Sequence, residues 1–274
     1  MKLATVRLPE GGTAAVRIDG DTATRLGATD VGEVLRTIGL AEAAAAQGPQ
    51  LSASDLDYAP LVLHPSKIVC VGLNYRSHIL EMKRELPEYP TLFAKFDNCL
   101  LGARDGIPLP PESDMIDWEA ELAVVIGAPV RRATAEQAEA AIAGYSVCND
   151  ISMRDWQFRT REWLQGKMWA DSTPLGPVLA TIDEVPADAV IETRIDGVVK
   201  QHGRIDDLVH NPVQLVQYIS TITELVPGDV IITGTTGGVG HARDPQEFLS
   251  AGQTVTVSID GIGELVNHTY AEAV

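Results

Sequence analysis

Two glutamates separated by one residue stand at the start of an apolar stretch. Glu119 and Glu121 open the run Glu-Ala-Glu-Leu-Ala-Val-Val-Ile-Gly, which ends at Gly127. In an extended strand both would project from one face, about 7 Å apart at a rise of ~3.3 Å per residue. Two such carboxylates repel each other unless a cation lies between them, and Mg²⁺ prefers oxygen ligands. The pair is therefore a candidate metal site, although two solvated glutamates at a strand end give the same motif and are the commoner case for such a pair alone.

A third acid and two polar donors follow a second apolar run. Asp150 ends the run 145–149 and could complete a three-carboxylate site. Arg154 and Gln157, three residues apart on the turn that follows, are suited to hold an anionic or carbonyl-bearing substrate. Arg154 could equally pair with Asp155 or with a neighbouring acid.

His78 and Glu81 have the spacing at which two side chains share one face of a helix. A carboxylate beside an imidazole fixes its tautomer and raises its basicity, as a general base acting on water requires. A surface helix with an unrelated histidine and glutamate is the alternative. Lys167 precedes a tight loop, 171–177, and could lie beside the metal and hold a carboxylate, or be solvated. The charged stretch 83–90, with two prolines, is interpreted as a surface loop that could serve as a lid.

The segment 234–240 is rich in glycine and contains Thr235. Glycines allow backbone N–H groups to converge on an anion, and Thr235 adds a hydroxyl. The pattern matches neither the Walker A motif nor the dinucleotide-binding fingerprint, so no nucleotide loop is predicted.

The elements that must position these residues are mostly strands. Residues 2–26 read as short strands, and Asp30 caps a helix that continues through an alanine-rich stretch to Gly48. Two Asp-Gly turns predict hairpins, and Asn211-Pro212 begins a helix. The fold class is mainly β with a few helices (α+β), in a mixed and largely antiparallel arrangement. We predict a small N-terminal α+β domain at 1–60 and a catalytic domain at 61–274.

Composition excludes several classes of partner. The 274 residues are 45% hydrophobic, and 21 Lys and Arg against 38 Asp and Glu give a net charge of −17. Nucleic acids and anionic membranes both need a basic surface, so neither is expected as a partner. The three widely spaced cysteines predict buried free thiols in a reducing compartment. No run has the length of a signal peptide core or a membrane span, and a cytoplasmic protein is expected.

Five motifs, in the same order, resemble the fumarylacetoacetate hydrolase superfamily. The similarity covers about residues 65–270 and includes bacterial acylpyruvate and fumarylpyruvate hydrolases, oxaloacetate decarboxylases and hydroxyheptadienedioate isomerases. The motifs are Gly-Leu-Asn-Tyr-x-x-His-x-x-Glu-Met (72–82), Asp-Trp-Glu-Ala-Glu-Leu-Ala-Val-Val-Ile-Gly (117–127), Asn-Asp-Ile-Ser-x-Arg-Asp (149–155), Gly-Lys…Pro-Leu-Gly-Pro (166–177) and Pro-Gly-Asp-Val-Ile-x-Thr-Gly-Thr-x-x-Gly-Val-Gly (227–240).

The resemblance implies a role for each motif. It implies a mixed β-sandwich roll, a homodimer, and Mg²⁺ or Mn²⁺ as cofactor. Three positions depart from the commoner pattern. Trp169 is followed by Ala170 where an aspartate is commoner, with Asp171 one place later, and Thr236 and Phe96 stand where proline is usual. The implied site residues are the metal ligands Glu119, Glu121 and Asp150, the catalytic dyad His78 and Glu81, the active-site Lys167, and the substrate contacts Arg154, Gln157 and Thr235.

The favoured reaction is metal-dependent hydrolysis of a C–C bond in a 2,4-dioxo acid of the acylpyruvate or fumarylpyruvate type. His78, oriented by Glu81, would activate the attacking water, and the cation would stabilise the departing pyruvate enolate. Two alternatives use the same enolate: oxaloacetate decarboxylation, and isomerisation of 2-hydroxyhepta-2,4-diene-1,7-dioate. A protein that binds a small oxo acid without turnover is the non-enzymatic alternative.

Overall fold

The computed structural model describes residues 1–81 and 85–273, without the side chains of His78 and Glu81. Over these residues the strands are β1 Lys2–Arg7, β2 Thr13–Asp19, β3 Thr22–Arg25, β4 Gln50–Ser52, β5 Asp57–Tyr58, β6 Ile68–Gly72, β7 Thr91–Lys95, β8 Leu100–Leu101, β9 Ile107–Leu109, β10 Ile116–Asp117, β11 Ala120–Ile126, β12 Ile142–Asn149, β13 Ser152–Met153, β14 Thr173–Ala180, β15 Val190–Ile195, β16 Val198–Arg204, β17 Val230–Thr235, β18 Thr254–Ile259 and β19 Gly263–Ala271. The α-helices are α1 Val31–Thr37, α2 Gly39–Ala45, α3 Arg76–Glu81, α4 Ala135–Ala141, α5 Arg154–Gln157 and α6 Pro212–Ile222.

Most strands belong to one large sheet. Its order is β4-β3-β2-β1-β14-β12-β11-β17-β6-β7, with β5 beside β1 and β8 beside β14. Pairing is antiparallel except between β6 and β17 and between β8 and β14. β1 joins the sheet because Leu3 pairs with Leu179 of β14. Strands from both predicted domains therefore share one sheet, and the boundary at residue 60 stays a prediction.

A second sheet, ordered β16-β15-β18-β19-β9, packs against the central strands of the large sheet. The core between the sheets is apolar, and α4 and α6 cover the opposite face of the large sheet over Val124, Ile126 and Ile231. This layering confirms the mainly β prediction with few helices. Side chains from both sheets meet at Leu122, Val147, Ile191, Val257 and Leu265.

Local sequence sets several helix ends as predicted. The Asn211 side chain accepts a hydrogen bond from the Gln214 N–H, the Gln214 side chain accepts one from the Asn211 N–H, and Pro212 occupies the first helical position.

All three cysteines are buried and free, as expected. Within the described ranges, the model contains no helix with both the length and the apolar character that crossing a membrane requires.

Other boundaries differ from the prediction. The helix capped by Asp30 does not run to Gly48, because Gly39 adopts φ +73° and separates α1 from α2. The stretch 100–109 contains two short strands, β8 and β9, which pair with different sheets. Helix α4 ends at Ala141, where β12 begins at once and pairs with β11. Short-range pattern does not reveal such long-range pairing.

A buried carboxylate ties the parallel strands β6 and β17 together where they begin. Asp229 is fully buried and accepts hydrogen bonds from Ser66 Oγ (2.6 Å), Lys67 N (3.0 Å) and Val226 N (2.9 Å). Its second oxygen also pairs with the Lys67 ammonium at 2.9 Å. The two strands then run side by side and end at Gly72 and Thr235.

Asp229→Ala is expected to lower the free energy of unfolding by about 3 kcal/mol, because buried donors and a charge lose their partner. Urea unfolding of the variant and the wild type measures the difference. Asp188→Ala is the control, since Asp188 makes only an exposed pair with Arg204 and should change stability much less. Equal effects of the two substitutions would contradict the role given to Asp229.

Candidate active site

A cavity of about 310 Å³ opens where β6 and β17 end and β11 begins. Its floor is charged and its walls are largely apolar. The lining residues are Val71, Gly72, Leu73, Phe93, Glu119, Glu121, Arg154, Gln157, Phe158, Trp163, Lys167, Thr235, Val239, His241 and Ala242.

Three carboxylates meet at the floor of this cavity. Glu119 precedes β11, Glu121 lies within it, and Asp150 follows β12. The antiparallel register pairs Ala120 with Asn149, and the Asp150 N–H donates to the Glu119 carbonyl at 2.9 Å. One oxygen from each carboxylate lies within 4.8 Å of the others, and all three residues are buried. The structure thus brings the predicted triad together.

Two buried lysines neutralise part of this charge. Lys167 Nζ lies 2.6 Å from Glu119 Oε2 and 2.8 Å from Asp150 Oδ2. Lys95 Nζ lies 2.6 Å from Asp150 Oδ1. Burial alone would lower the pKa of Lys167, but the charges of Asp150 and Glu119 outweigh it and raise that pKa. Burial likewise acts to raise the pKa of Asp150, and Lys167 and Lys95 lower it overall.

Glu121 differs from its two neighbours in its partners. Its carboxylate accepts a hydrogen bond from the Gly234 N–H, and no lysine or arginine in the described ranges comes within ion-pair distance of it. Burial, then the charges of Asp150 and Glu119, raise the pKa of Glu121 well above its ordinary value. A divalent cation would supply the missing positive charge. The three-carboxylate donor set therefore fits an oxygen-preferring ion, and it does not distinguish Mg²⁺ from Mn²⁺.

Arg154 is held by Asp117 and Glu119, not by Asp155. Its Nε donates to Asp117 Oδ2 at 2.8 Å, and one terminal nitrogen lies 2.7 Å from Glu119 Oε1. Burial acts to lower the pKa of Arg154, but the charges of Glu119 and Asp117 raise it overall. Arg154 also donates to Gln157 Oε1 at 2.8 Å, which turns the amide nitrogen of Gln157 away from the arginine. Both residues line the cavity, as their predicted role requires.

Asp117 is a buried hub that joins three segments. Besides Arg154 it accepts hydrogen bonds from the backbone N–H groups of Trp118 (2.8 Å), Gly240 (2.7 Å) and His241 (3.0 Å). A Cβ on Gly240 would lie 1.9 Å from the Glu247 carbonyl, so only glycine allows this approach. The hub fixes the glycine-rich loop against the arginine.

The hydroxyl of Thr235, predicted to contact substrate, already has two partners. It donates to the Ala120 carbonyl at 2.9 Å and accepts from Gln201 Nε2 at 2.7 Å. Gln201 Oε1 in turn accepts from Ala120 N at 2.9 Å. Thr235 lines the cavity, but its proton joins β17 to β11.

The predicted dyad falls partly outside the described residues. Helix α3 includes His78 and Glu81, whose side chains the structure does not describe, and the predicted lid at 83–90 begins within the undescribed 82–84. The dyad and the lid stay predictions. Asn74, before α3, donates to the Thr233 carbonyl at 2.8 Å and accepts from His210 N at 2.8 Å. These bonds join the chain that leads into α3 to β17.

Four site residues were not predicted as such: Lys95, Asp117, Gln201 and His241. Lys95 and Asp117 carried a usable signal, since each is a charged residue directly between two apolar ones (Ala94 and Phe96; Ile116 and Trp118). Lys, Asp and Gln are seldom fully buried without a partner, so such a context suggests an inward-facing polar group. Nothing in the local sequence distinguishes His241.

Comparison with known proteins identifies the family. The family model described as fumarylacetoacetate (FAA) hydrolase, C-terminal, matches residues 67–269. The chain belongs to the fumarylacetoacetate hydrolase family. Among curated family members, the human protein named oxaloacetate tautomerase FAHD2A, mitochondrial, is 41% identical over 229 residues, which span 82% of this chain and 73% of the relative.

Two solved structures of the family are similar over almost the whole chain. A fumarylacetoacetate hydrolase from Exiguobacterium antarcticum has a TM-score of 0.90 and 31% identity, covering 99% of this chain and 100% of its own. A 2-hydroxyhepta-2,4-diene-1,7-dioate isomerase from Mycobacterium marinum has a TM-score of 0.82 and 31% identity, covering 100% of both chains. The protein is therefore an enzyme of this family, with an acidic triad that could hold a divalent ion.

Glu121→Gln is expected to weaken Mn²⁺ binding at least tenfold, roughly the loss that even residues behind a ligand cause. Without metal the variant should melt no lower than the wild type, because a buried, repelled carboxylate becomes neutral. Titration calorimetry with Mn²⁺ and melting curves with chelator measure the two effects. Glu139→Gln, on the exposed side of α4, is the control. An unchanged Mn²⁺ affinity in Glu121→Gln would remove Glu121 from the ligand set.

Proposed function

We propose that the protein interconverts the keto and enol forms of a 2-oxo dicarboxylic acid of the oxaloacetate type. The observation that carries this proposal is the buried triad with Lys167 on the floor of the cavity, beneath apolar walls. The curated relative is named as an oxaloacetate tautomerase. Oxaloacetate is also the substrate of one alternative drawn from the sequence, but that alternative was decarboxylation.

The relatives' names share one chemical feature. A 2-hydroxy-2-ene acid is the enol of a 2-oxo acid, so the isomerase named for 2-hydroxyhepta-2,4-diene-1,7-dioate also acts on a keto–enol system. Isomerisation of such a longer diacid is therefore the second candidate. C–C hydrolysis, which the sequence favoured, has support from the names of the family model and of the Exiguobacterium structure.

A divalent cation, when bound, would supply electrophilic stabilisation of the negative charge that develops on the 2-oxo oxygen as the C3 proton leaves. Glu119, Glu121 and Asp150 would hold it. Lys167 keeps its proton, because its pKa is raised, so it orients Glu119 and Asp150 and adds positive charge to the floor instead of acting as a base. Arg154 is likewise always charged.

The proton at C3 needs a base. The sequence predicts His78, oriented by Glu81, as a general base acting on water, and we propose that the same pair removes this proton instead. The cavity walls contribute in another way. Phe93 and Trp163 pack edge to face with ring centroids 5.7 Å apart, and Val239 adds to the apolar surface. Exclusion of water strengthens the electrostatic effect of the charged floor and favours proton transfer within the substrate over attack by water.

An assay that starts from the enol of oxaloacetate separates the candidates. With Mg²⁺ or Mn²⁺, the protein is expected to speed loss of the enol's ultraviolet absorbance above the rate with metal alone, without releasing pyruvate, and chelator should abolish the effect. Release of pyruvate and carbon dioxide would instead indicate a decarboxylase. Cleavage of acetylpyruvate with no effect on the enol would reject the proposal in favour of hydrolysis.

Lys167→Met should lower kcat/KM for enol conversion by about 100-fold or more, as the loss of a charge preorganised in an active site does. Methionine fills the same space, so the melting temperature reports any effect on folding separately. Lys2→Met, at the start of β1 and far from the cavity in the sheet, is the matched control. A kcat/KM equal to that of the control would exclude a role of Lys167 in the reaction.

A further inference from the structure

His241 lines the cavity wall and is linked to the triad through Asp117 and Arg154. It belongs to the short 3-10 turn Gly240–Ala242 that follows the glycine-rich segment. Its backbone N–H donates to the same Asp117 oxygen that accepts from Arg154 Nε. Arg154 in turn pairs with Glu119 of the triad. One carboxylate thus orients both the arginine and the turn that carries the histidine.

The side chain of Gln246 determines which nitrogen of His241 carries the proton. Its Nε2 lies 2.9 Å from the His241 carbonyl and 3.1 Å from His241 Nδ1. A carbonyl only accepts hydrogen bonds, so the atom between the two is the amide nitrogen, and Nδ1 must accept as well. The proton of the neutral imidazole therefore lies on Nε2.

Two further contacts define the state of this ring. The Phe158 ring packs against it at a centroid distance of 5.0 Å and an interplanar angle of 36°, which limits rotation of the imidazole. Burial and then the charge of Arg154 lower the pKa of His241. At neutral pH the ring is uncharged and offers one N–H donor at Nε2.

The positively charged side chains that line the cavity are already paired with carboxylates of the protein. Among the described lining residues the only cations are Arg154 and Lys167, and each pairs with two carboxylates. The triad would hold the cation and, through it, the 2-oxo end of a substrate. A second carboxylate at the other end of a diacid must therefore be satisfied by neutral donors. The neutral side-chain N–H donors among the described lining residues are the Gln157 amide, the Trp163 indole and the His241 Nε2–H. The Trp163 ring packs edge to face against Phe93 in the apolar wall, whereas Gln157 and His241 are joined to the charged floor through Arg154 and Asp117.

We propose that His241, oriented by Gln246 and Phe158, is the specificity-determining donor for the second carboxylate of a 2-oxo diacid. The inference rests on the proposed function for its substrate class. It adds a residue that selects diacids over 2-oxo acids with an alkyl end. Gln157 shares the task from the arginine side, and its amide orientation is fixed by Arg154.

The test is the binding of two unreactive analogues, measured by calorimetry with Mg²⁺ present. Difluoro-oxaloacetate has fluorine in place of both C3 hydrogens, and difluoro-2-oxobutanoate has a methyl group in place of the second carboxylate. His241→Phe should weaken binding of the diacid by about 10- to 100-fold, as expected for one hydrogen bond to a charged group. Binding of the monoacid should change by less than about twofold, since no such bond is lost.

His241→Gln is the conservative variant, because its amide nitrogen can take the place of imidazole Nε2. It should restore diacid binding to within about fivefold of the wild type, one neutral donor replacing another. His241→Leu provides a second apolar variant should His241→Phe fold poorly, and melting curves are recorded for all. Loss of both analogues in equal measure, loss of neither, or a wild type without preference for the diacid would each overturn the inference.

The outcome does not depend on turnover. The enol assay on the wild type tests the proposed function separately, since the binding experiment uses analogues that cannot form an enol. A wild type that prefers the diacid but does not convert the enol of oxaloacetate would refute the proposed reaction and keep the role of His241. A wild type that converts the enol but binds both analogues alike would support the proposed reaction and refute the role of His241.

Discussion

The concentration of buried negative charge at one end of β11 is the constraint on which the rest of the site depends. Glu119, Glu121, Asp150 and Asp117 are all buried there, and isolated ionised carboxylates in such surroundings would be very costly. Three buried cations, Lys95, Lys167 and Arg154, balance most of this charge. The described groups of the cluster leave one negative charge in excess, centred on Glu121. That imbalance is what makes the site suited to a divalent cation.

The strands supply the charged groups from separate parts of the chain. Lys95 ends β7, Asp117 ends β10, and Lys167 follows a short 3-10 turn, Trp163–Gly166. Each ion pair thus links two segments, so that the network specifies how strands and loops meet. A buried pair is weak evidence of net stability, because desolvation offsets the attraction. We therefore interpret this network mainly as a device that sets geometry, with Asp117 holding Arg154 and the glycine-rich loop in register.

A single charged floor can serve several reactions of this family. Tautomerases, isomerases and hydrolases are all named among the relatives and neighbours, and each of these reactions gains from stabilised charge on a 2-oxo oxygen. What distinguishes them must lie above the floor, in the walls and in the groups that meet the rest of the substrate. In this protein the tilted ring pair Phe158 and His241 and the Gln157 amide line the cavity, and all three belong to segments outside the triad.

The sequence by itself determined the family, the mainly β class, the members of the acidic triad and the place of Lys167 beside it, because these depend on residue types at fixed short spacings or on motifs in a fixed order. It did not determine that Lys95 and Asp117 join the cluster, that the Thr235 hydroxyl is already bonded, or that β1 extends the catalytic sheet. These follow from the register of strands far apart in the chain, such as Leu3 with Leu179. Local pattern carries no information on such pairing, since the partner that satisfies a buried polar group is chosen only when the strands meet.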